Sequence, residues 1–477
     1  MEERESLFVK VLNQREVFAL AFGAMIGWGW VVLSSTWILG AGTFGAVVAF
    51  VIGGVLVLFV GLTYAELTVA MPKCGGEHVF SMRALGPVGS FICTWAIILG
   101  YAGVVGFEAC AFPTVIQYIA PNFLKGYMYT VGGFDVYASW VGTGVVVSIL
   151  ISVINYLGVK PAAVFNTVLT LIILGVGIAL IAGAAVNGDT ENIKPFFDHG
   201  IKGLFSVAMM TPFMFVGFDV IPQASEEINI SPKRIGVVLM LSILVAILFY
   251  IAVIIAVSLV MTKSELANSP LATADAMQKA FFNRDAAAKV LIIGGMAGIL
   301  TSWNSFFVGG SRAVFAMAEA KMLPKVLAKL HKTHKTPVTA ICLIGLVSCI
   351  APFFGRSMLV WITNAGSFSV VIAYILVAIS YLILRKNEPD MPRPYKIKFG
   401  GFVGGCAVLM GVFMAVLYLP GMPSGLGIQE WGILGFWIIL GLVFCISAKI
   451  KYGSSFGMAE GLLWPVKYRT GKNRMIP

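Results

Sequence analysis

Charge is scarce in this chain. Asp, Glu, Lys and Arg make up 12% of its 477 residues, about half the share of a soluble protein of this length, so a soluble globular fold is excluded. The longest polar tail, from about Lys449, is too short to bury a core of its own. Cysteine occurs seven times, never as C-x-x-C and mostly within apolar segments, which indicates neither a disulfide framework nor a zinc site. Of the four histidines, His331 and His334 stand in a Lys-rich loop and read as solvated surface, and His78 and His199 fall in other loops. No nucleophile, base or metal cluster converges in the apolar segments, which speaks against an enzyme; no cofactor is expected.

Apolar length is what the chain has. Apolar residues make up 59% and mean hydropathy is +0.92; windows of about 20 residues without Lys or Arg recur throughout, as membrane helices require. The net charge of +11 does not point to nucleic acid, because roughly 25 of the 33 Lys and Arg fall in the N-terminus, alternate loops and the C-terminus, the positive-inside pattern. The expected fold is an all-α polytopic membrane protein with about twelve spans, centred near residues 28, 57, 104, 148, 175, 213, 248, 302, 346, 370, 411 and 440. An even count puts both ends on one side. Lys449, Lys451, Lys467, Arg469, Lys472 and Arg474 make that side cytoplasmic, in agreement with the basic loops after the eighth and tenth spans. The loop from Thr262 to Lys289 is basic on the opposite side; its pattern of Leu266, Leu271, Ala274, Met277 and Phe281 predicts an amphipathic helix. The first apolar stretch lacks a cleavage site and reads as a retained span.

Two spans are interrupted at matching places. One, about Val17 to Leu39, carries Gly23-Ala24-Met25-Ile26-Gly27-Trp28-Gly29; the other, about Leu204 to Ala224, carries Pro212, Gly217 and Asp219. Broken helices leave backbone groups without partners, which is tolerated only inside protein or beside a wet cavity. Paired breaks mark the midplane substrate site of secondary transporters, at the seam of inverted repeats. Placement of the breaks divides the chain into a leader (1–16), a first repeat (17–186), a second repeat (202–384), two further helices (402–449) and a tail (450–477). Freed N–H groups around Trp28 to Trp30 suit a carboxylate, and carbonyls around Ala24 to Ile26 suit an ammonium or cation. Small-residue helix packing is the rival reading of the glycines.

Asp219 is an acid in an apolar stretch and must face an interior or cavity, either bracing the break with hydrogen bonds or touching substrate. Phe213, Phe215 and Phe218 can gate a substrate or fill core. Glu108, deep in the third span, can be a neutral satisfied carboxyl, a proton carrier or a partner for a cationic substrate group. The eighth span carries Thr301-Ser302-Trp303-Asn304-Ser305, hydroxyls and amides that either bond their own helix or offer oxygen ligands to Na⁺.

These segments resemble a known family. The first glycine-rich break, Tyr64-Ala-Glu66-Leu, Pro72-Lys-Cys-Gly75-Gly76-Glu-His78 and Phe215-Val-Gly217-Phe-Asp219 with Ser225-Glu226-Glu227 are similar to motifs of the amino acid–polyamine–organocation transporter superfamily, specifically bacterial amino acid permeases. Ser311-Arg312-Ala-Val-Phe-Ala-Met317, Lys335-Thr336-Pro337-Val338 and Pro392-Arg-Pro-Tyr395 continue the match in order. The resemblance implies a LeuT-like fold of inverted five-helix repeats with broken helices 1 and 6, working by alternating access as symporter or exchanger. It implies a substrate carboxylate on amides around Gly27, Trp28 and Gly29, and an ammonium on carbonyls around Ala24, Ile26, Phe213 and Val216. Glu108, Phe213, Trp303 and Asn304 are the implied selectivity residues. Its partners are an amino acid, or an amine as the rival, and the lipid bilayer of the cell membrane; H⁺ or Na⁺ coupling stays open. The family's lysine in the fifth helix is missing, with Ile172 and Ile173 in that region; Trp28 replaces a small residue and narrows the pocket; His78 stands where tyrosine is usual.

Overall fold

The computed structural model describes residues 7–194, 196–422 and 424–458; Lys467, Arg469, Lys472 and Arg474 lie outside them. Helices dominate, and among the described residues nine are long and apolar enough to cross a membrane. In chain order the helices are α1 (Gln14–Met25), α2 (Gly29–Val32), α3 (Ser34–Ala41), α4 (Thr43–Ala70), α5 (Glu77–Ile119), α6 (Ala138–Leu157), α7 (Val159–Asn187), α8 (Gly200–Ala208), α9 (Thr211–Met214) and α10 (Val220–Gln223). The second half continues with α11 (Pro232–Val260), α12 (Lys263–Asn268), α13 (Ala272–Ala280), α14 (Asp285–Glu319), α15 (Val338–Ile350), α16 (Gly355–Asn387), α17 (Gly400–Leu417) and α18 (Ile428–Tyr452). A two-stranded antiparallel hairpin, β1 (Tyr127–Val131) and β2 (Phe134–Tyr137), joins α5 to α6.

Both interrupted segments are broken. The first is started by a capping box, with Asn13 accepting from the Glu16 amide and the Glu16 carboxylate accepting from the Asn13 amide. It runs as α1 to Met25, leaves helical geometry at Ile26 (φ −101°, ψ 73°), and resumes as α2 and α3. The second is the series α8, α9 and α10, with Pro212 at the start of α9 and Gly217 at φ +132° between α9 and α10. An added Cβ at Gly217 would stand 2.6 Å from Ala24 Cβ and 2.9 Å from its carbonyl carbon. The two breaks therefore touch, backbone against backbone, and only glycine combines that φ with that approach.

The segment after α11 forms α12 and α13, which bury Leu266, Leu271, Ala274 and Met277. Thr273 of α13 donates to the Trp30 carbonyl (2.9 Å) and pairs with Ser34 (2.7 Å), clamping the far half of the first broken helix. Lys279 holds the Glu265 carboxyl down at about 2 and ties α12 to α13 (2.8 Å). At the opposite end, Leu12 pairs in parallel with Ile228, and the Glu227 carbonyl accepts from Val11 and Leu12 (both 2.9 Å). The Glu227 side chain makes a bidentate pair with fully buried Arg312 of α14 (2.9 and 3.0 Å). The leader, the end of the second broken segment and α14 thus meet in one buried joint.

Candidate functional site

The site grows from what the first break leaves unpaired. Among the described residues, the N–H groups of Gly27, Trp28 and Gly29 donate to no backbone carbonyl, and all three residues are partly exposed. They stand at the start of α2, where aligned donors favour an anion. Beside them lies a carboxyl: a Cβ placed on Gly27 would be 3.3 Å from Glu108 Oε1 and 3.6 Å from Ser302 Oγ. Glu108 is 4% exposed, has the Ser302 hydroxyl beside it, and its Oε2 is buried without a hydrogen-bond partner. Unpaired donors and an under-satisfied carboxyl in one place can take the two poles of a zwitterion.

The freed carbonyls are less available. Met25 O accepts from the Tyr250 hydroxyl (2.9 Å). The carbonyls of Ile26 and Gly27 press on α14, each 2.8 Å from where a Cβ of Gly298 would be. Ala24 lies against Gly217. Trp28 packs its ring onto Gly295, and Met214 Sδ approaches Gly29, 3.1 Å from its would-be Cβ.

In the second break, Asp219 is fully buried and braces the chain. It accepts from the Gly217 amide (2.9 Å), the Tyr101 hydroxyl (2.6 Å) and the Tyr374 hydroxyl (3.2 Å), joining the break to α5 and α16. Phe215 packs on Phe50 and Tyr250, and Phe218 on Tyr64 and Tyr374. Phe213 is 39% exposed, the one aromatic of the three that is open, and Val216 is half-buried.

Two residues named from the sequence point elsewhere. Trp303 donates to Ser348 of α15 (3.0 Å), which donates to Ser148 of α6. Asn304 bonds Asn155, Asn166 and the Ala162 carbonyl, an amide knot among α6, α7 and α14. The polar residues that α14 turns toward the first broken helix are Thr301, against Gly23, Ser302, against Gly27, and Ser305, which donates to Leu20 O (2.8 Å). His78 is another correction: it lies in α5, fully buried, with Ser90 2.9 Å from Nδ1.

A multi-pass helical membrane protein with two broken helices meeting over unpaired backbone donors is the architecture of a small-solute carrier. The amino acid permease family model matches residues 12–444, and the chain belongs to that family of membrane transporters. It is 27% identical to the branched-chain amino acid permease BcaP of Bacillus subtilis over 86% of this chain and 88% of the relative. It is 26% identical to the methylthioribose transporter of the same organism over 94% and 95%, and 23% identical to its aspartate-proton symporter over 96% and 88%.

Proposed function

We propose that this chain moves an amino acid across the cytoplasmic membrane by alternating access, as a symporter or an exchanger. The carrying observation is the contact of the two breaks beside the free N–H groups of Gly27, Trp28 and Gly29 and the Glu108 carboxyl. In this reading the substrate carboxylate sits on those amides. Its ammonium meets Glu108 and Ser302, and its side chain extends toward Trp28, Met214, Phe213 and Val216. The nine long helices, the two broken segments and the short α15 with its following turn support a twelve-span chain, with inverted repeats over 17–186 and 202–384 and both termini cytoplasmic. Asp219 in this scheme holds the second break in shape.

The relatives' names span branched-chain amino acids, aspartate and methylthioribose, so the substrate has to come from the pocket. The unpartnered Glu108 Oε2 favours a cationic group on the substrate and gives the amine reading its support. Liposome uptake of arginine competed by agmatine separates the two: agmatine lacks the carboxylate, so the amino acid reading expects weak competition and the amine reading strong competition. Saturable uptake accelerated by substrate on the far side is expected; its absence would remove alternating access. Glu108→Gln is expected to change the order of preference among arginine, leucine and aspartate, and an unchanged order takes Glu108 out of the site.

A further inference from the structure

Away from Gly27, another buried acid lies where α5 begins. Glu77 is fully buried. Its Oε2 accepts from the Gln223 side-chain amide at the end of α10, while its Oε1 has no partner. The Tyr64 hydroxyl of α4 stands beside the carboxyl, and Gln223 Oε1 is buried and unpartnered. Asp219 is close enough to act on Glu77, and Tyr374, a donor to Asp219, feels both acids.

Among the described residues, the other titratable groups facing this cluster include no lysine or arginine to balance it. They are Tyr101 on Asp219, Cys93, and His78, whose Nδ1 is engaged by Ser90 and whose Nε2 is unpartnered. Basic residues on the neighbouring elements bind other acids: Lys73 with Glu226 (3.6 Å), Arg312 with Glu227, Arg83 with Glu388 (2.9 Å), and Arg385 and Arg393 with Glu66 (2.9 and 3.1 Å). Two full negative charges in a dry interior without a cation are costly. One proton removes the repulsion. It also gives Glu77 Oε1 a hydrogen to donate, with the unpartnered Gln223 Oε1 as an acceptor.

We propose that Glu77, acting with Asp219, is the proton-binding site that couples transport in this carrier to pH. The proton comes from water, binds a carboxylate oxygen of Glu77, and returns to water when the site opens on the other side; no other bond is made or broken. The reason it can couple is mechanical. Gly76 lies against Pro222 and Gln223, the Gly75 amide donates to the Gln223 carbonyl (3.3 Å), and Asp219 holds the Gly217 amide. The charge on Glu77 therefore bears directly on the second break. This rests on the carrier reading above and adds the coupling ion to it.

The test uses the full chain in liposomes loaded with pyranine, in sodium-free choline buffer, with arginine, leucine and aspartate as probes. Wild type is expected to take up at least one probe faster at lower outside pH and to acidify the lumen as it does so. Glu77→Gln should keep probe binding, read by thermal shift, and lose both the pH dependence and the acidification. Retention of both, or their loss in Glu108→Gln with Glu77→Gln unaffected, overturns the proposal. Wild-type uptake that is insensitive to pH or needs sodium also overturns it while leaving the carrier reading intact; no uptake of any probe, with or without sodium, fails the carrier reading itself. Should Glu77→Gln not fold, Gln223→Leu serves in its place. Removing a donor to the carboxylate moves the midpoint of the uptake profile toward alkaline pH, and an unmoved midpoint overturns the assignment.

Discussion

Gly217 shows how much one residue carries here. Its positive φ, and the 2.6 Å that would separate an added Cβ from Ala24 Cβ, leave no room for a methyl group, so Gly217→Ala must either strain the backbone, at about 1–3 kcal/mol, or push the breaks apart. Loss of uptake with near-normal insertion in the membrane is the expected result, measured by transport and by size-exclusion profile; normal uptake would mean that the contact is not needed. Asp219→Asn keeps the shape of the brace but replaces an acceptor pair with one acceptor and one donor, against hydroxyl and amide donors from Tyr101, Tyr374 and Gly217. A cost of about 1–3 kcal/mol should appear as a lower thermal midpoint. The residue scale is also where the sequence is least legible. Glycine and proline announce a break whatever surrounds them. Neighbours on an apolar helix differ only by rotation of roughly 100° per residue, and a span apolar on every side gives no pattern by which to choose a face. Hence Trp303 and Asn304 could be named while Ser302 between Thr301 and Trp303 turns toward Gly27.

Elements were more legible. Each expected span centre falls within a helix or a broken segment, because long apolar runs and their polar interruptions are fixed by composition alone. The amphipathic 262–289 segment is helical for the same reason, though nothing in its pattern announces that Thr273 reaches the Trp30 carbonyl. The short helix ahead of the kink in α5 at Gly86 (φ +76°) was the harder case. Pro72, Gly75 and Gly76 suggest a surface loop, yet the chain re-enters and buries Glu77 and His78. Two outcomes are expected at this scale. Gly298→Val forces a side chain onto the Ile26 and Gly27 carbonyls, separating α14 from α1; uptake should be lost, and retained affinity by thermal shift would show that the approach is dispensable. The tie between Lys279 and Glu265 should also fail only under strong acid. Its carboxyl is held below the ordinary value, so the stabilisation is fully present above about 4.5 and lost as the pH falls through about 2. Hydrogen exchange over residues 262–280 should stay slow at pH 4 to 5 and quicken only well below that range.

Buried charged groups tie distant parts of the molecule together. Arg385 and Arg393 close on Glu66, tying α16 and the loop after it to α4, and Arg312 closes on Glu227. Each pair is buried on at least one side, so deleting a partner strands the other charge. Glu227→Ala should destabilise the fold by about 3–5 kcal/mol, while the double change Glu227→Ala with Arg312→Met should recover part of that loss in thermal midpoint. Helix ends and basic loops outline such a joint in the sequence, but the pairing of residues 85 positions apart is a property of the folded chain.

The parallel pairing of Leu12 with Ile228 makes the leader a hasp. Five residues from the first described position, at Leu12, the chain is already stitched to the end of the second broken rod. A bulky fusion attached directly before residue 7 would pull on that stitch with every cycle, whereas one placed after a flexible spacer would not. Cutting the chain at Asn13 would leave Glu227's main-chain oxygen without its two donors and unlatch that face of the carrier.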